Sequence, residues 1–256
     1  KVVTPVEFCF AVGKARSRWH SVNVLLQPRI AAAELTIVPP PYSRLPRRRF
    51  YAGNEELAGL ADSRVELSLT SNRQLLDGTA TLRPRKSAGD VEVVKGEAAG
   101  PKTVVFKWTL RSPADVEIVA RDLQGARNRD PLVLKQKLVP DKPPEVALTE
   151  PPPFSMATPS SRVPLAGYAQ DDLGLKHVEL VRTLAGYRDR VKPLGPTVPE
   201  PRLDISGVLD LKLLGVEPGQ VLEFFAQAGD WNPNLMGLGI SDTVRVKIIS
   251  EEEYAE

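Results

Sequence analysis

The sequence lacks several features on which common catalytic and membrane functions depend. Its 256 residues include one cysteine, Cys9, so no disulfide can form within the chain and the fold must be stabilised by packing alone. Only two histidines are present, His20 and His177. No apolar stretch approaches the ~20 residues that a membrane-spanning helix needs. We therefore expect any targeting or anchoring segment to lie outside these residues.

An excess of charge of one sign is also lacking. Lysine and arginine total 34 residues against 32 aspartates and glutamates, so the net charge is +2. Nucleic acids and anionic membranes are attracted mainly by concentrated positive charge. We expect no nucleic-acid partner, and membrane contact only through segments outside this chain.

Recognisable catalytic motifs are missing as well. The sequence contains no Gly-x-Ser-x-Gly nucleophile turn, and neither histidine has a second histidine or a cysteine at zinc-ligand spacing. Gly237-Leu-Gly239 has no third glycine at the spacing of a dinucleotide loop. His177 is expected on the solvent face of a strand, opposite Val178. These patterns predict a chain that is not an enzyme and has no cofactor, calcium excepted.

Proline and alternating apolar residues are what the sequence has in quantity. Its 24 prolines cannot occupy central strands or helix interiors, which favours many short strands. Val65, Leu67 and Leu69 alternate with polar residues, a period of two that is typical of a half-buried strand. No helical period persists for a dozen residues. The pattern predicts an all-β protein.

An internal repeat divides the chain. Residues 65–82 align without gaps with residues 163–180, and both segments read as strand, loop, strand. Residues 116–122 resemble residues 224–230, and each is followed by a polar loop and a further strand. Short strands separated by turn signals in this order are typical of an immunoglobulin-like β-sandwich. The repeat therefore predicts tandem immunoglobulin-like sandwiches.

The repeat also predicts domain boundaries. We expect one sandwich over residues 29–141 and a second over residues 142–249. Residues 1–28 match the last hairpin of each repeat, and we expect them to be the C-terminal hairpin of a truncated immunoglobulin-like domain. Residues 250–256 are predicted to start a helix or to form a tail, because Ser250 and Glu253 have the spacing of a capping box.

The alternating positions predict two separate cores. The residues expected inside the first sandwich are Leu67, Leu69, Phe106, Trp108, Ile118 and Ala120. Those expected inside the second are Val163, Leu165, Val178, Leu180, Phe224 and Ala226.

Several motifs carry a resemblance to known proteins. The run from Asp171 to Leu180, together with the later hairpin that carries Asp230, resembles bacterial immunoglobulin-like repeats. Gly13-Lys-Ala-Arg-Ser17, Pro39-Pro-Pro-Tyr42 and Ile249-Ser-Glu-Glu-Glu-Tyr254 extend the likeness. The whole chain resembles large uncharacterised envelope proteins of planctomycetes and verrucomicrobia. That resemblance implies membrane helices before this region, a long helical region after it, and an extracytoplasmic location in a membrane-anchored parent.

One group of polar side chains predicts a metal site. Asp171 and Asp172 lie between the second and third strands of the last sandwich, and Asp230, Asn232 and Asn234 lie in its final hairpin loop. Those two loops belong to the same end of an immunoglobulin-like sandwich. Five oxygen-bearing side chains could therefore converge, which suits a hard cation such as calcium.

A simpler interpretation of these residues stays open. Aspartate and asparagine also cap turns by accepting hydrogen bonds from nearby backbone N–H groups. In the other repeat the residues aligned with Asp171 and Asp172 are Arg73 and Gln74, so the fold itself does not require carboxylates there.

Two other surfaces suggest ligands. Trp231, in a predicted loop, could stack on a sugar ring. The basic residues Arg44, Arg47, Arg48 and Arg49 could contact an acidic polymer, although glutamates follow them closely and a solvated loop is the better interpretation.

The leading functional hypothesis is a non-catalytic structural or interaction module. It would act as a spacer or scaffold in a bacterial envelope protein, with stiff proline-bearing linkers and with protein or other envelope components as partners. The alternative is a module that binds calcium or a glycan at the loop end of the last sandwich. A third hypothesis is an accessory domain of an enzyme whose catalytic part lies elsewhere.

Overall fold

A computed structural model of the chain describes residues 4–24, 27–85, 90–184, 187–195, 200–233 and 237–255. The chain forms two compact units. The first comprises Lys1–Pro39 and Pro46–Val139, and the second comprises Pro40–Leu45 and Pro140–Glu256. Each unit has its own sheets and its own apolar core.

The first unit contains a short N-terminal hairpin and a larger sandwich. Its strands are β1 (Val6–Phe8), β2 (Ala11–Val12), β3 (Ala15–Arg16), β4 (His20–Val22), β5 (Ile30–Val38), β6 (Arg48–Tyr51), β7 (Leu57–Gly59), β8 (Arg64–Ser71), β9 (Leu75–Pro84), β10 (Glu92–Gly100), β11 (Thr103–Thr109), β12 (Ala114–Asp122) and β13 (Leu132–Leu138). The sandwich strands follow the hydrogen-bonded order β6-β5-β8-β11-β10-β9-β12-β13-β7. Strand β10 pairs with both β11 and β9, so it joins the two layers.

Strand alternation builds the first core as the sequence predicts. In the ladder between β8 and β11, Leu67 lies opposite Phe106 and Val65 opposite Trp108, so inward-facing side chains of neighbouring strands stack on one face. All six residues predicted inside this sandwich are buried. The polar side chain of Gln136 is also buried; it accepts a hydrogen bond from the Trp108 indole N–H at 2.8 Å and donates to the carbonyl of Ser112 at 2.7 Å.

The N-terminal segment forms a hairpin of its own. Strand β1 pairs antiparallel with β4, and β2 pairs antiparallel with β3. Within residues 4–24, neither pair joins the larger sheet of the unit. Phe10, Val12 and Trp19 are 66%, 82% and 64% exposed, and Cys9 is half-buried. That this hairpin closes a truncated domain stays a prediction.

The second unit forms two sheets. Its strands are β14 (Glu145–Glu150), β15 (Phe154–Ala157), β16 (Arg162–Gln170), β17 (Leu175–Leu184), β18 (Tyr187–Pro193), β19 (Arg202–Asp210), β20 (Val221–Asp230), β21 (Leu238–Ile240) and β22 (Val244–Ile248). One sheet has the order β14-β16-β19. The other has the order β15-β22-β20-β17-β18, with β21 paired to β20.

The two units share one topology. Strands β14, β16 and β19 pair in the same order as β5, β8 and β11, and β17, β20 and β22 correspond to β9, β12 and β13. In each unit a short early strand also pairs in parallel with the last strand, β7 with β13 and β15 with β22. Two packed antiparallel sheets with this connectivity form an immunoglobulin-like sandwich. The predicted fold class, tandem immunoglobulin-like sandwiches, is confirmed.

The second core consists of two clusters. All six residues predicted inside it are buried, and the larger cluster includes the fully buried Phe224 and Leu222. A smaller cluster lies nearer the start of β17 and the end of β20, and it consists of Ala169, Leu175, Val178, Ile205, Ala226 and Ala228. Because alanines fill little volume, the backbones and polar side chains at this end can approach one another closely.

Among the described residues, helical structure is confined to short segments, α1 (Leu211–Leu214), α2 (Glu251–Ala255) and a 3₁₀ turn at Pro41–Ser43. Before α2, the Ser250 hydroxyl accepts a hydrogen bond from the Glu253 N–H at 3.1 Å, which is the first half of the predicted capping box. The second half, a hydrogen bond from the Ser250 N–H to the Glu253 carboxylate, is not formed. That carboxylate lies 3.9 Å from Lys247 Nζ instead. Neither helix is long and apolar enough to cross a membrane.

Removal of the largest fully buried side chain from the first core should weaken the first unit selectively. Phe106 is fully buried, so Phe106→Ala should lower the free energy of unfolding by about 3–5 kcal/mol through lost burial and a residual cavity. Val133→Ala is the matched control, because Val133 on β13 is 58% exposed. Urea denaturation followed by tryptophan fluorescence measures both. Equal losses for the two variants would contradict the core described above.

Candidate functional site

Two loops meet at the alanine-containing end of the second core. In the ladder between β17 and β20, Leu175 lies opposite Asp230. Opposed residues in an antiparallel pair have Cα atoms about 4.5–5.5 Å apart. The loop before β17, which carries Asp171, therefore lies beside the loop that follows Asp230. The structure thus brings Asp171 and Asp230 together.

Asp171 is buried and uses only one of its carboxylate oxygens. Its side chain is 8% exposed. Oδ2 accepts a hydrogen bond from the Leu173 N–H at 2.9 Å, which closes the turn before β17. Oδ1 is shielded from solvent and has no hydrogen-bond partner.

Asp230 repeats this arrangement on the neighbouring strand. It is 5% exposed, and its Oδ1 accepts a hydrogen bond from the Asn232 N–H at 2.8 Å. Its Oδ2 is buried without a partner. Gly237 lies against the same carboxylate, and a Cβ atom at that position would lie 2.1 Å from Oδ1. Only glycine at 237 permits this close approach.

Asp141, the last residue of the first predicted sandwich, also joins the group. Its Oδ2 accepts a hydrogen bond from the Asn232 side-chain amide at 2.6 Å, and its Oδ1 is buried without a partner. One signal could have identified it. Asp141 shortly precedes the first strand of the sandwich, and that strand starts at the same end as the two loops.

The remaining predicted residues differ in their placement. Asp172 is exposed, while Asn232 is half-buried and donates hydrogen bonds to both Asp141 and Asp230. Asn234 lies outside the described residues. The predicted turn-capping role is therefore present at Asp171 and Asp230, and it occupies one oxygen of each carboxylate.

Burial and mutual repulsion act on the ionisation of these groups. Burial raises the pKa of Asp171 from 3.8 to about 6, and the negative charges of Asp172 and Asp230 contribute in the same direction. Burial also raises the pKa of Asp230, with further contributions from the charges of Asp141 and Asp172. The hydrogen bond from the Asn232 N–H opposes that increase. Ionised carboxylates are therefore unfavourable here without a positive charge.

In the first sandwich the corresponding aspartate is surrounded by different groups. Asp122 aligns with Asp230, is 2% exposed, and accepts hydrogen bonds at Oδ1 from the N–H groups of Gln124 and Ala126, both at 2.9 Å. Its Oδ2 has Arg73 Nε at 3.8 Å. Arg73 is the residue that aligns with Asp171. One repeat thus places a cation where the other places a second carboxylate.

The acidic residues do not form a preassembled metal shell. Throughout the described ranges, no three histidine, cysteine, aspartate or glutamate side chains stand grouped as the ligands of a metal ion. Any bound cation would therefore require the carboxylates to draw together, completed by backbone carbonyls or water.

The two histidines have no catalytic surroundings. The His20 ring stacks on Phe8 with ring centroids 5.5 Å apart. His177 is half-buried rather than exposed, so that expectation is wrong. The reason is Gly229 on the neighbouring strand, where a Cβ atom would lie 2.3 Å from His177 Cε1. In the described part of the chain, neither imidazole has a hydroxyl or carboxylate hydrogen-bond partner.

The predicted glycan and polyanion surfaces are partly used within the protein. Trp231 is half-buried, with Lys176 Nζ 5.8 Å from its ring centroid. In the basic segment, Arg49 Nε pairs with Glu34 at 2.6 Å, and Arg48 donates a hydrogen bond to the carbonyl of Ala58 at 2.5 Å.

A groove of about 680 Å³ lies on the face formed by β5, β8 and β11 of the first unit. Arg47, Arg64 and Lys107 border it together with Glu66. Nothing in its described contacts points to a particular ligand.

Comparison with known proteins adds little to what the chain itself shows. No family model and no curated protein matches the sequence. Among solved structures, the chain is similar to the fibronectin(III)-like modules of Clostridium thermocellum CbhA, at 16% sequence identity and a TM-score of 0.25, over 78% of this chain and 91% of that chain. The assignment as immunoglobulin-like sandwiches rests on the strand order and register of the chain itself.

The raised pKa of Asp171 predicts a pH-dependent stability. Its pKa is about 6 in the folded protein, against an ordinary 3.8, so folding takes up a proton between these values. The stabilisation is complete below the ordinary pKa and is lost as the pH rises through about 6. In a chelating buffer, acidification from about pH 7.5 to about pH 5 should raise the free energy of unfolding by up to about 1.4 kcal/mol.

Thermal melting at a series of pH values measures this effect. Asp171→Asn should flatten the profile, whereas Asp172→Asn, at an exposed position, should retain most of it. Carboxylates with lowered pKa values, such as Asp77 beside Arg121, lose their contribution only at lower pH. A steady fall in melting temperature between pH 7.5 and pH 5 would show that Asp171 is not a destabilising charge.

Proposed function

We propose that the chain is a non-catalytic structural or interaction module, which acts as a spacer or scaffold in the extracytoplasmic part of a bacterial envelope protein. The observation that carries this proposal is the pairing of early and last strands in each of two complete immunoglobulin-like sandwiches. Strands β7 and β13 pair in parallel, as do β15 and β22.

Parallel closure of this kind suits a module that transmits tension. Beyond β13, the Val139 N–H donates a hydrogen bond to the carbonyl of Gly59 at 2.8 Å. In the second unit, the N–H groups of Arg245 and Ile249 donate to the carbonyls of Pro153 and Ala157 at 2.9 and 3.0 Å. Tension along parallel strands loads such bonds together, in shear, whereas tension across an antiparallel hairpin breaks them one after another. Each unit would therefore resist extension.

The chemistry of the described residues supports a non-catalytic role. Nucleophilic and acid–base catalysis require a nucleophile and a base within hydrogen-bond reach. Neither His20 nor His177 has such a neighbour in the described ranges. The buried carboxylates of Asp171 and Asp230 are each anchored to a backbone N–H.

Location and partners are part of the same proposal. The resemblance to planctomycete and verrucomicrobial envelope proteins supports an extracytoplasmic position in a membrane-anchored parent. Protein or other envelope components would be the partners. Protease treatment of intact and of permeabilised cells that express the parent protein tests the location. Digestion of this region only after permeabilisation of the inner membrane would contradict an extracytoplasmic position.

Stretching single molecules tests the spacer role. The intact chain should unfold in two discrete events, each releasing about 100 residues, or about 35 nm at ~3.3–3.6 Å per residue. Val139→Pro removes the N–H that bonds to Gly59 and should lower the unfolding force of one event only. Val139→Ala is the control, because it keeps the N–H while shortening a side chain that is 47% exposed. Extension without discrete events would contradict a tension-bearing spacer.

A further inference from the structure

Three buried carboxylate oxygens at one end of the second unit have no partner. They are Oδ1 of Asp141, Oδ1 of Asp171 and Oδ2 of Asp230. We call these three residues, with Asn232, the acidic end. Asn232 links the group, because its backbone N–H binds Asp230 and its side chain binds Asp141. Asp171 and Asp230 are 8% and 5% exposed, so water does not readily replace the missing partners.

Turn capping at Asp171 and Asp230, and the Asn232 amide at Asp141, account for only one oxygen of each carboxylate. In all three residues one oxygen accepts a hydrogen bond from the protein, and the other oxygen remains buried and unpaired. A buried acceptor without a partner is costly, and more so when it carries charge. A capping role would be served equally well by an asparagine or a serine, which would bring no net charge into this end.

The first unit places a positive charge beside the second oxygen of its buried aspartate. There the buried Asp122 has the same capping turn, and the Arg73 guanidinium lies 3.8 Å from its second oxygen. In the second unit Asp171 replaces that arginine. Among the residues that the structure describes, no lysine or arginine forms an ion pair with any of the three carboxylates of the acidic end. A positive charge present in one repeat is thus missing from the other.

The donor set indicates the class of cation. The acidic end offers carboxylate oxygens and an amide, with no thiolate or imidazole among its members. Oxygen-only donors suit hard cations, and Ca²⁺ accepts six to eight oxygens in irregular geometry, whereas Mg²⁺ demands a near-octahedral shell. Three carboxylates from three separate segments match the more permissive ion.

We propose that the acidic end binds one Ca²⁺ ion through the free oxygens of Asp141, Asp171 and Asp230. The ion takes the place that the Arg73 guanidinium occupies in the first unit. It joins the segment before β14 to the two loops that flank β17 and β20. Without a cation, like-charge repulsion holds the three carboxylates apart, which accounts for the lack of a preassembled shell. This site does not depend on the spacer role.

Calcium titration of the intact chain tests the site. After removal of bound metal with a chelator, calorimetric titration with CaCl₂ should show one site, with a dissociation constant of about 10⁻⁴–10⁻³ M, as in extracellular modules. At ten times that concentration, the melting temperature should rise by roughly 5–10 °C. Asp171→Asn and Asp230→Asn should each weaken binding at least about tenfold. Asp172→Asn, one residue away and exposed, should change it by less than about threefold.

A variant that copies the first repeat separates loss of binding from loss of folding. Asp171→Arg combined with Asp172→Gln reproduces the Arg73-Gln74 pair. It should melt at a higher temperature than the parent chain in chelator and should show no further rise with calcium. A variant that still responds to calcium like the parent would overturn the site.

Two other results would also overturn it. One is the absence of both binding heat and a melting shift at about 10 mM CaCl₂ in the parent chain. The other is equal calcium affinity of the parent and Asp171→Asn. Because single-molecule stretching in chelator reports on the spacer role alone, failure of the calcium site and failure of the spacer proposal can be told apart.

Discussion

Contact between two apolar sheet faces is the interaction on which each unit depends. A single cysteine allows no disulfide within the chain, so nothing covalent limits the entropy of the unfolded state. The free energy must come from side chains such as Phe106 and Phe224, which are fully buried between the layers. Inward positions recur every second residue, and the outward positions between them are left to polar side chains. The two sandwiches therefore keep the same strand order while their surfaces diverge.

The divergence is concentrated where strands end. Both units end the first strand of the last hairpin with a buried aspartate, Asp122 or Asp230, that caps the following turn. A backbone turn of this kind needs only one oxygen acceptor, so the second oxygen is free to acquire a different partner in each repeat. One repeat supplies Arg73, and the other supplies Asp171. Two repeats of one fold can in this way keep the same core while one of them places a cation, and the other a second carboxylate, beside the buried aspartate.

Much of the fold was predictable because strand alternation and the repeat are local signals that agree with each other. Leu67, Phe106, Leu165 and Phe224 are buried as their alternating pattern predicts. His177 is an exception, because its burial depends on a glycine in the neighbouring strand rather than on its own segment. The single-turn helix α1 was also missed, since four residues are too few to show a helical period; the Asp210 side chain caps it by accepting the Lys212 N–H at 3.1 Å.

Periodicity and the fixed order of strands in the sandwich are enough to predict the all-β class, the twofold repeat, the members of each core and the convergence of Asp171 with Asp230. The folded arrangement was needed to show which carboxylate oxygens are left without a partner, that Asp141 belongs with them and that Asp172 does not. Those facts depend on contacts such as the one between Asp141 and Asn232, which lie 91 residues apart. Burial and hydrogen bonding across such a separation are set by how strands pack together, and no local pattern in the chain records them.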